Sequence, residues 1–297
     1  MRIAVTGSTG LIGTALVDHA KAGGHDVVRL VRRPPAGPDE VRWDPTTGAV
    51  DLDGLAGVEG AVHLAGAGVG DHRWTATYKQ EIRDSRVLGT RTLVAALGRL
   101  DPPPSVLVSG SAIGFYGSRG DELLTEESGQ GTGFLSDVVR DWEAEARAAE
   151  GFGIRVALAR TGLVMAPSGG AFGRLLPLIR LGLGGPLGSG RQWSSWITLA
   201  DEVAALEHLL ATDTLAGPVN LTAPQPRRNI DVTRALGRAV HRPTVLPAPG
   251  FALKIALGEF ADDVLASARV LPHRLLKSGF TFRHDTVDAA AVWVTSR

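Results

Sequence analysis

The sequence predicts an α/β protein built on a doubly wound parallel sheet, with a smaller C-terminal α/β domain attached. Three observations lead there. Short β-branched runs alternate with amphipathic stretches up to about residue 160, a glycine-rich junction links the first run to the first stretch, and the rhythm loosens beyond residue 165. A chain of 297 residues accommodates one large or two modest domains. We place a nucleotide-binding domain at 1–165, with segments near 190–225 adding to it. A smaller substrate domain follows at 166–297, with a tail at 245–297 of unassigned role.

The elements follow in order. Residues 2–6 (RIAVT) form a strand, and Leu11, Ile12, Ala15, Leu16 and Ala20 recur at helical spacing until Gly23-Gly24 ends the helix. Strands follow at 26–31, 40–43 and 60–65, broken by Pro34-Pro35 and by the turn at 45–48. Residues 75–100 read as a long helix with Ile82, Leu88, Leu93, Val94 and Leu97 on one face. A strand at 105–109, a helix within 131–150 and a strand at 154–160 complete the regular part. Beyond it lie the turn-rich stretch 182–190, a strand at 193–197, a helix at 199–211, a strand at 218–221 and a helix at 229–240 capped by Asn229. A helical patch covers 251–257.

Composition removes several classes. With no cysteine, the chain has no disulfide framework, cysteine-based zinc site, iron–sulfur cluster or thiol nucleophile. Its 31 basic and 31 acidic residues give no net charge, against the basic excess of a nucleic-acid binder. No apolar run reaches the ~18 residues of a membrane span. Gly and Thr interrupt the first residues too often for a signal peptide, so the expected compartment is the cytoplasm. The eight histidines show no HxH or HExxH spacing, and no metal site is expected.

The junction Gly7-Ser8-Thr9-Gly10-Leu11-Ile12-Gly13 carries the first chemistry. Gly7 allows a tight turn, Gly10 lets backbone approach a pyrophosphate, and Gly13 allows helix to pack closely on strand. The helix start then offers free N–H groups and a positive dipole end to phosphates. About 20 residues on, where NAD binders place an acid, the second strand runs into Arg32-Arg33. Two guanidiniums suit a 2′-phosphate, so NADP(H) is expected over NAD(H).

The loop TGSTGLIG, HLAG at 63–66 and SGSAIGFYG at 109–117 resemble the extended short-chain dehydrogenase/reductases, the NAD(P)-dependent sugar-nucleotide epimerase/dehydratase group. Arg73 to Arg86, Trp142-Glu143, PLGSGRQWSSWI (186–197) and VLPHRLLKSGFTFRH (270–284) look like its atypical branch of bacterial epimerase family proteins, which ends in a small domain of unknown function. The resemblance implies a Rossmann-type sheet in which Gly7–Gly13 holds the pyrophosphate and Asp44 lies near the adenine. It places Leu64, Ala65 and Gly66 under the nicotinamide-side ribose, with Ser85 and Ser109 close by. Ser111 would contact a substrate carbonyl or hydroxyl, and Arg160 to Gly162 would close over the nicotinamide. Asp44 and Ser85 read equally well as a turn former and an ordinary mid-helix serine.

The pattern breaks at the catalytic centre. Family chemistry uses Tyr-x-x-x-Lys, the lysine one helical turn on lowering the tyrosine pKa. The only tyrosines are Tyr78 and Tyr116, followed four residues later by Ile82 and Gly120. In the helix expected to carry the pair, the matching positions are Leu135 and Val139. Two readings stay open. One is an NADP(H)-dependent oxidoreductase or epimerase acting on a small hydroxyl- or carbonyl-bearing molecule, such as a nucleotide sugar, with Ser111, Tyr116, Lys79 and Arg160 as substitutes. The other is a non-catalytic NADP(H)-binding redox-sensing or structural module. Lys79 also reads as a solvated helix charge, and His63 as a packed strand residue. Gln192, Trp193 and Trp196 suit either a substrate pocket or a core strand. Residues 172–181 read as a mobile lid or a plain surface helix.

Overall fold

The computed structural model describes residues 1–296. Its strands are β1 (Arg2–Thr6), β2 (Asp26–Val31), β3 (Glu40–Asp44), β4 (Ala49–Val50), β5 (Gly60–His63), β6 (Val106–Ala112), β7 (Leu123–Leu124), β8 (Arg155–Thr161), β9 (Leu163–Met165), β10 (Trp193–Ser194), β11 (Trp196–Thr198), β12 (Gly217–Leu221), β13 (Arg227–Arg228) and β14 (Arg269–Val270). Its α-helices are α1 (Leu11–Ala22), α2 (Ala76–Leu97), α3 (Phe134–Arg147), α4 (Gly170–Arg180), α5 (Leu199–Ala211), α6 (Asn229–Ala239), α7 (Gly250–Leu257), α8 (Phe260–Val264), α9 (His273–Lys277) and α10 (Val287–Thr295).

Eight strands form one sheet in the order β12-β8-β6-β5-β1-β2-β3-β4, parallel except for the antiparallel edge strand β4. Its strands are apolar on both faces, as a parallel sheet covered on both sides requires. Side chains alternate with period two. Ile3, Val5, Val62, Val108 and Ala157 pack on Leu16 and Val17 of α1 and Leu206 and Leu209 of α5. Ala4, Ala61, Leu107, Val156 and Leu158 pack on Leu93, Val94 and Leu97 of α2 and Ala146 of α3. The sheet is therefore doubly wound. The chain runs from β1 through β2 and β3 to β4 on one side and then crosses to β5 on the other side of β1, which leaves a crevice between the carboxyl ends of β1 and β5.

The later residues are shared out. β12 and α5 join the sheet and its α1 face, while α4, α6 and α10 build a separate cluster around Trp196. The tail strand β14 pairs with β7, far upstream in the chain. The expected strand at 193–197 divides at Ser195 into β10, antiparallel to β13, and β11, parallel to β9. Asn229 does not cap α6. It is that helix's first residue, and its side chain accepts the Leu187 N–H at 2.8 Å. No helix among the described residues is long and apolar enough to cross a membrane.

Candidate active site and cofactor crevice

The crevice begins at the glycine junction. Gly7 has φ +66°, and a Cβ there would stand 2.6 Å from the Leu64 carbonyl carbon. At Gly13 a Cβ would lie 2.1 Å from the Gly7 carbonyl oxygen. Glycine at both positions therefore brings the turn onto β5 and α1 onto the turn. Gly10 is the N-cap of α1, and no side chain caps the helix, so its first N–H groups stay available. Ser8 is buried, Thr9 and Gly10 are exposed, and Leu11 and Ile12 are half-buried.

Across the crevice, Thr6 Oγ accepts the N–H groups of Leu64 (3.1 Å) and Ala65 (3.2 Å) and lies 2.7 Å from His63 Nδ1. Burial lowers the His63 pKa to about 3, so the ring is neutral and acts as a packed strand residue. Ser85 accepts the Ala67 N–H at 3.0 Å and donates to the Ile82 carbonyl, which holds the 64–67 segment on α2.

At the end of β2 the two arginines separate. Arg33 forms a fork with Glu40, both oxygens at 2.6 Å, and Arg29 reaches the same carboxylate at 2.9 Å. Hydrogen bonds from Arg33 and then from the Ala36 N–H hold Glu40 at about 2. Arg33 is thus paired with an acid seven residues downstream, while half of its side chain stays exposed. Arg32 is exposed and makes no ion pair among the described residues. Asp44 accepts from the backbone and hydroxyl of Thr46 at 2.9 and 2.7 Å, the work of a turn former.

Three of the candidate catalytic residues, Ser111, Tyr116 and Arg160, sit in a buried polar chain at the ends of β6 and β8. Ser111 donates to Glu143 Oε1 at 2.6 Å. Arg160 grips that carboxylate through Nε and Nη2, each at 2.8 Å, and donates from Nη1 to the Tyr116 hydroxyl at 3.0 Å. Tyr116 donates to Asn220 Oδ1 at 2.7 Å. Asn220 gives its N–H to Glu126 and its side-chain amide to the Leu271 carbonyl. Burial works against the Arg160 charge, but the hydrogen bond to Glu143 overrides it and leaves its pKa above the ordinary value. Burial raises the Tyr116 phenol against the pull of Arg160.

Several expectations are corrected here. Tyr116 is 0% exposed, with both roles of its hydroxyl taken inside the protein, so it braces Arg160 from the interior. Arg160 is closed onto Glu143 and is no free electrostatic clamp. Lys79 pairs with Glu259 at 2.7 Å and stands over the Phe134 ring, tying α2 to the start of α8. Ser109 is wholly buried, its hydroxyl donating to the Gly110 carbonyl. The Gly162 N–H donates to Leu221, closing β8 onto β12.

The Gln192–Trp196 run belongs to the framework. Gln192 is buried and donates to the Leu187 carbonyl, and Trp196 is fully buried in the α4–α6–α10 cluster. Trp193 lies between the guanidiniums of Arg228 (4.4 Å) and Arg269 (4.5 Å) and donates to Asp121 at 2.8 Å. Its backbone N–H meets Ser267, and Ser195 bonds both Ala268 and Val270. The GSGRQW stretch and the tail thus pack on each other. Helix α4 buries Phe172, Leu176 and Ile179, and a Cβ on the preceding Gly169 would stand 3.2 Å from Leu11 Cδ1, so the helix begins beside the glycine loop.

Sequence reasoning passed over three residues that the fold brings to the site. Glu143 is four residues beyond Val139 and eight beyond Leu135, on the same face of α3. Glu126 holds the backbone of Asn220 and of Arg274 in the tail. Glu202, on α5, accepts from Thr161 at 2.7 Å, and burial pushes it up to about 8.

Comparison with known proteins agrees with this architecture. Residues 3–221 match the NAD dependent epimerase/dehydratase family, and residues 248–294 match a domain of unknown function, DUF1731. The epimerase family protein Mb2239 of Mycobacterium bovis is 45% identical over 296 residues, covering 99% of this chain and 98% of that protein. The crystal structure of human epimerase family protein SDR39U1 with NADPH superposes with a TM-score of 0.94 at 33% identity, covering 100% of this chain and 99% of that one. A nucleoside-diphosphate sugar epimerase from Corynebacterium glutamicum gives a TM-score of 0.81 at 36% identity, with 99% of this chain matched to 58% of that one. The chain belongs to the NAD dependent epimerase/dehydratase family.

Proposed function

We propose that the chain binds NADP(H) in the crevice between β1 and β5 and is an oxidoreductase or epimerase for a small hydroxyl- or carbonyl-bearing substrate. Ser111 and Glu143 take the place of the tyrosine–lysine pair. The cofactor reading is supported by the glycine cradle at Gly7 and Gly13, the uncapped start of α1 and the unpaired Arg32. It is supported too by the NADPH in the human relative's structure. Bound nicotinamide would supply a hydride donor or acceptor.

The observation that carries the reading is the 2.6 Å hydrogen bond from Ser111 to Glu143 at the end of β6. Because that bond uses the serine proton, Ser111 turns lone pairs toward the cleft and accepts a hydrogen bond from a substrate hydroxyl. As the alcohol is oxidised, its proton passes to Ser111 while the serine proton passes to Glu143. Reduction of a carbonyl runs the same transfers backward. Arg160 fixes the carboxylate through two bonds, so the acceptor does not reorganise during transfer. Binding without turnover has its own support: Leu135 and Val139 carry no transferable proton, and Glu143 is already neutralised by Arg160.

A screen of sugar nucleotides and carbonyl compounds, read by nicotinamide absorbance, separates the two. A turned-over substrate is expected, with Ser111→Ala slowing it by about 10²–10⁴-fold while NADPH affinity holds. Tight NADPH binding with silence across the panel would move the assignment to a non-catalytic module.

A further inference from the structure

We propose that the turn after α6 forms an anion-binding cleft, separate from the cofactor crevice, whose ligand is a small molecule carrying two or more phosphate groups. The proposal goes beyond the cofactor reading and stands independently of it. Residues 234–242 hold Arg234, Arg238, His241 and Arg242 and no acid. Gly237 shapes the cleft. A Cβ there would stand 2.6 Å from Thr244 Cγ2 and 2.7 Å from the Arg242 carbonyl oxygen, so glycine lets residues 242–244 fold back onto α6. His241 makes the reversal with φ +54°, and the N–H groups of His241 and Arg242 close the helix end on the carbonyls of Arg238 and Gly237. The result is a cleft of about 600 Å³, within the ~300–1,000 Å³ of small-ligand sites.

The lining of the cleft carries no carboxylate and is rich in unused donors. Arg234 is exposed and has no hydrogen bond or ion pair among the described residues, not even with Asp231 three residues earlier. Thr244 gives neither its N–H nor its hydroxyl to another described residue. Arg242 donates from Nε to the Arg180 carbonyl at 3.1 Å, which steadies the guanidinium and leaves Nη2 open. Only Arg238 is matched by an acid, Asp288 at 2.5 Å. Arginine stays charged throughout the working pH range. Two guanidiniums therefore face the cleft against nothing but the partial negative end of α6. Donors without acceptors select an acceptor-rich anion, and phosphate oxygens fit the guanidinium fork. Two phosphate groups answer the two unmatched arginines. The glycine loop is not part of this site. Helix α4 begins beside Leu11 and ends at Arg180, whose carbonyl holds Arg242. Its length separates the two places by roughly 16 Å.

The test is calorimetry on the full chain in excess NADPH, which fills the glycine-loop site, titrated with inorganic triphosphate and with fructose 1,6-bisphosphate. One-to-one binding of at least one of them is expected. Triphosphate alone identifies an inorganic ligand, and bisphosphate at equal or higher affinity identifies a phosphorylated organic one. Arg234→Ala/Arg242→Ala is expected to weaken that binding at least tenfold and Arg234→Ala alone at least threefold, with NADPH affinity held within twofold in both. Arg234 touches no partner, so its single variant folds as the parent does and serves if the double variant does not. Arg99→Ala, which removes an exposed arginine elsewhere, is expected to change nothing. Binding that ignores Arg234 and Arg242, that falls equally in Arg99→Ala, or that is absent for both anions in the parent overturns the proposal. If the parent binds no NADPH, the same titrations of the free chain decide the matter, and only the cofactor reading falls.

Discussion

Glu143→Ala lowers stability by about 3–5 kcal/mol, because it leaves the Arg160 guanidinium buried with no countercharge. The pair is closed from water, with side-chain exposures of 4% for Arg160 and 7% for Glu143. The damage spreads, since the same carboxylate anchors Ser111 and the same guanidinium anchors Tyr116. Urea unfolding of the single variants and of Glu143→Leu/Arg160→Met measures this. The double variant recovers most of the loss, because well-packed apolar side chains replace both charges. A loss below about 1 kcal/mol for Glu143→Ala would place the pair among ordinary surface bridges.

Gly13→Ala removes cofactor binding for a steric reason. A methyl 2.1 Å from the Gly7 carbonyl oxygen forces α1 away from the turn, and the first N–H groups move with it. NADPH affinity is expected to fall at least 100-fold, about 2.7 kcal/mol, and overpacking costs about 1–3 kcal/mol of stability. Gly129→Ala is the control, because a Cβ there meets nothing within 4 Å. Calorimetry with equal NADPH affinity in Gly13→Ala and the parent would show that the turn is not the phosphate cradle.

Elements with strong local signals were legible in the sequence. The β1–α1 junction, α5 and β12 carry local periodicity and glycine punctuation, so their bounds came within a residue or so. The buried polar chain was not legible. Its members, Ser111, Glu143, Arg160, Tyr116, Asn220 and Glu126, lie on separate elements that only the sheet order and the tail bring together. Tyr116 was attractive because tyrosines are rare in this chain, yet rarity carries no information about burial. Arg33 looked free because Glu40, seven residues on, reaches it only once β3 pairs with β2. Glu143 had one readable trace, its place on the helical face that Leu135 and Val139 define. The tail gave a family signature but no mechanism. In the structure its Leu271 carbonyl and Arg274 N–H complete the chain through Asn220 and Glu126.

The central claim is that this crevice is built for a 2′-phosphorylated dinucleotide, with Arg32 the exposed and unpaired member of the Arg32-Arg33 pair. Titration of the purified chain with NADPH and NADH by calorimetry tests it most directly. The account predicts NADPH tighter by at least tenfold, about 1.4 kcal/mol, with the margin lost in Arg32→Asp; equal affinities for the two in the parent chain would contradict it.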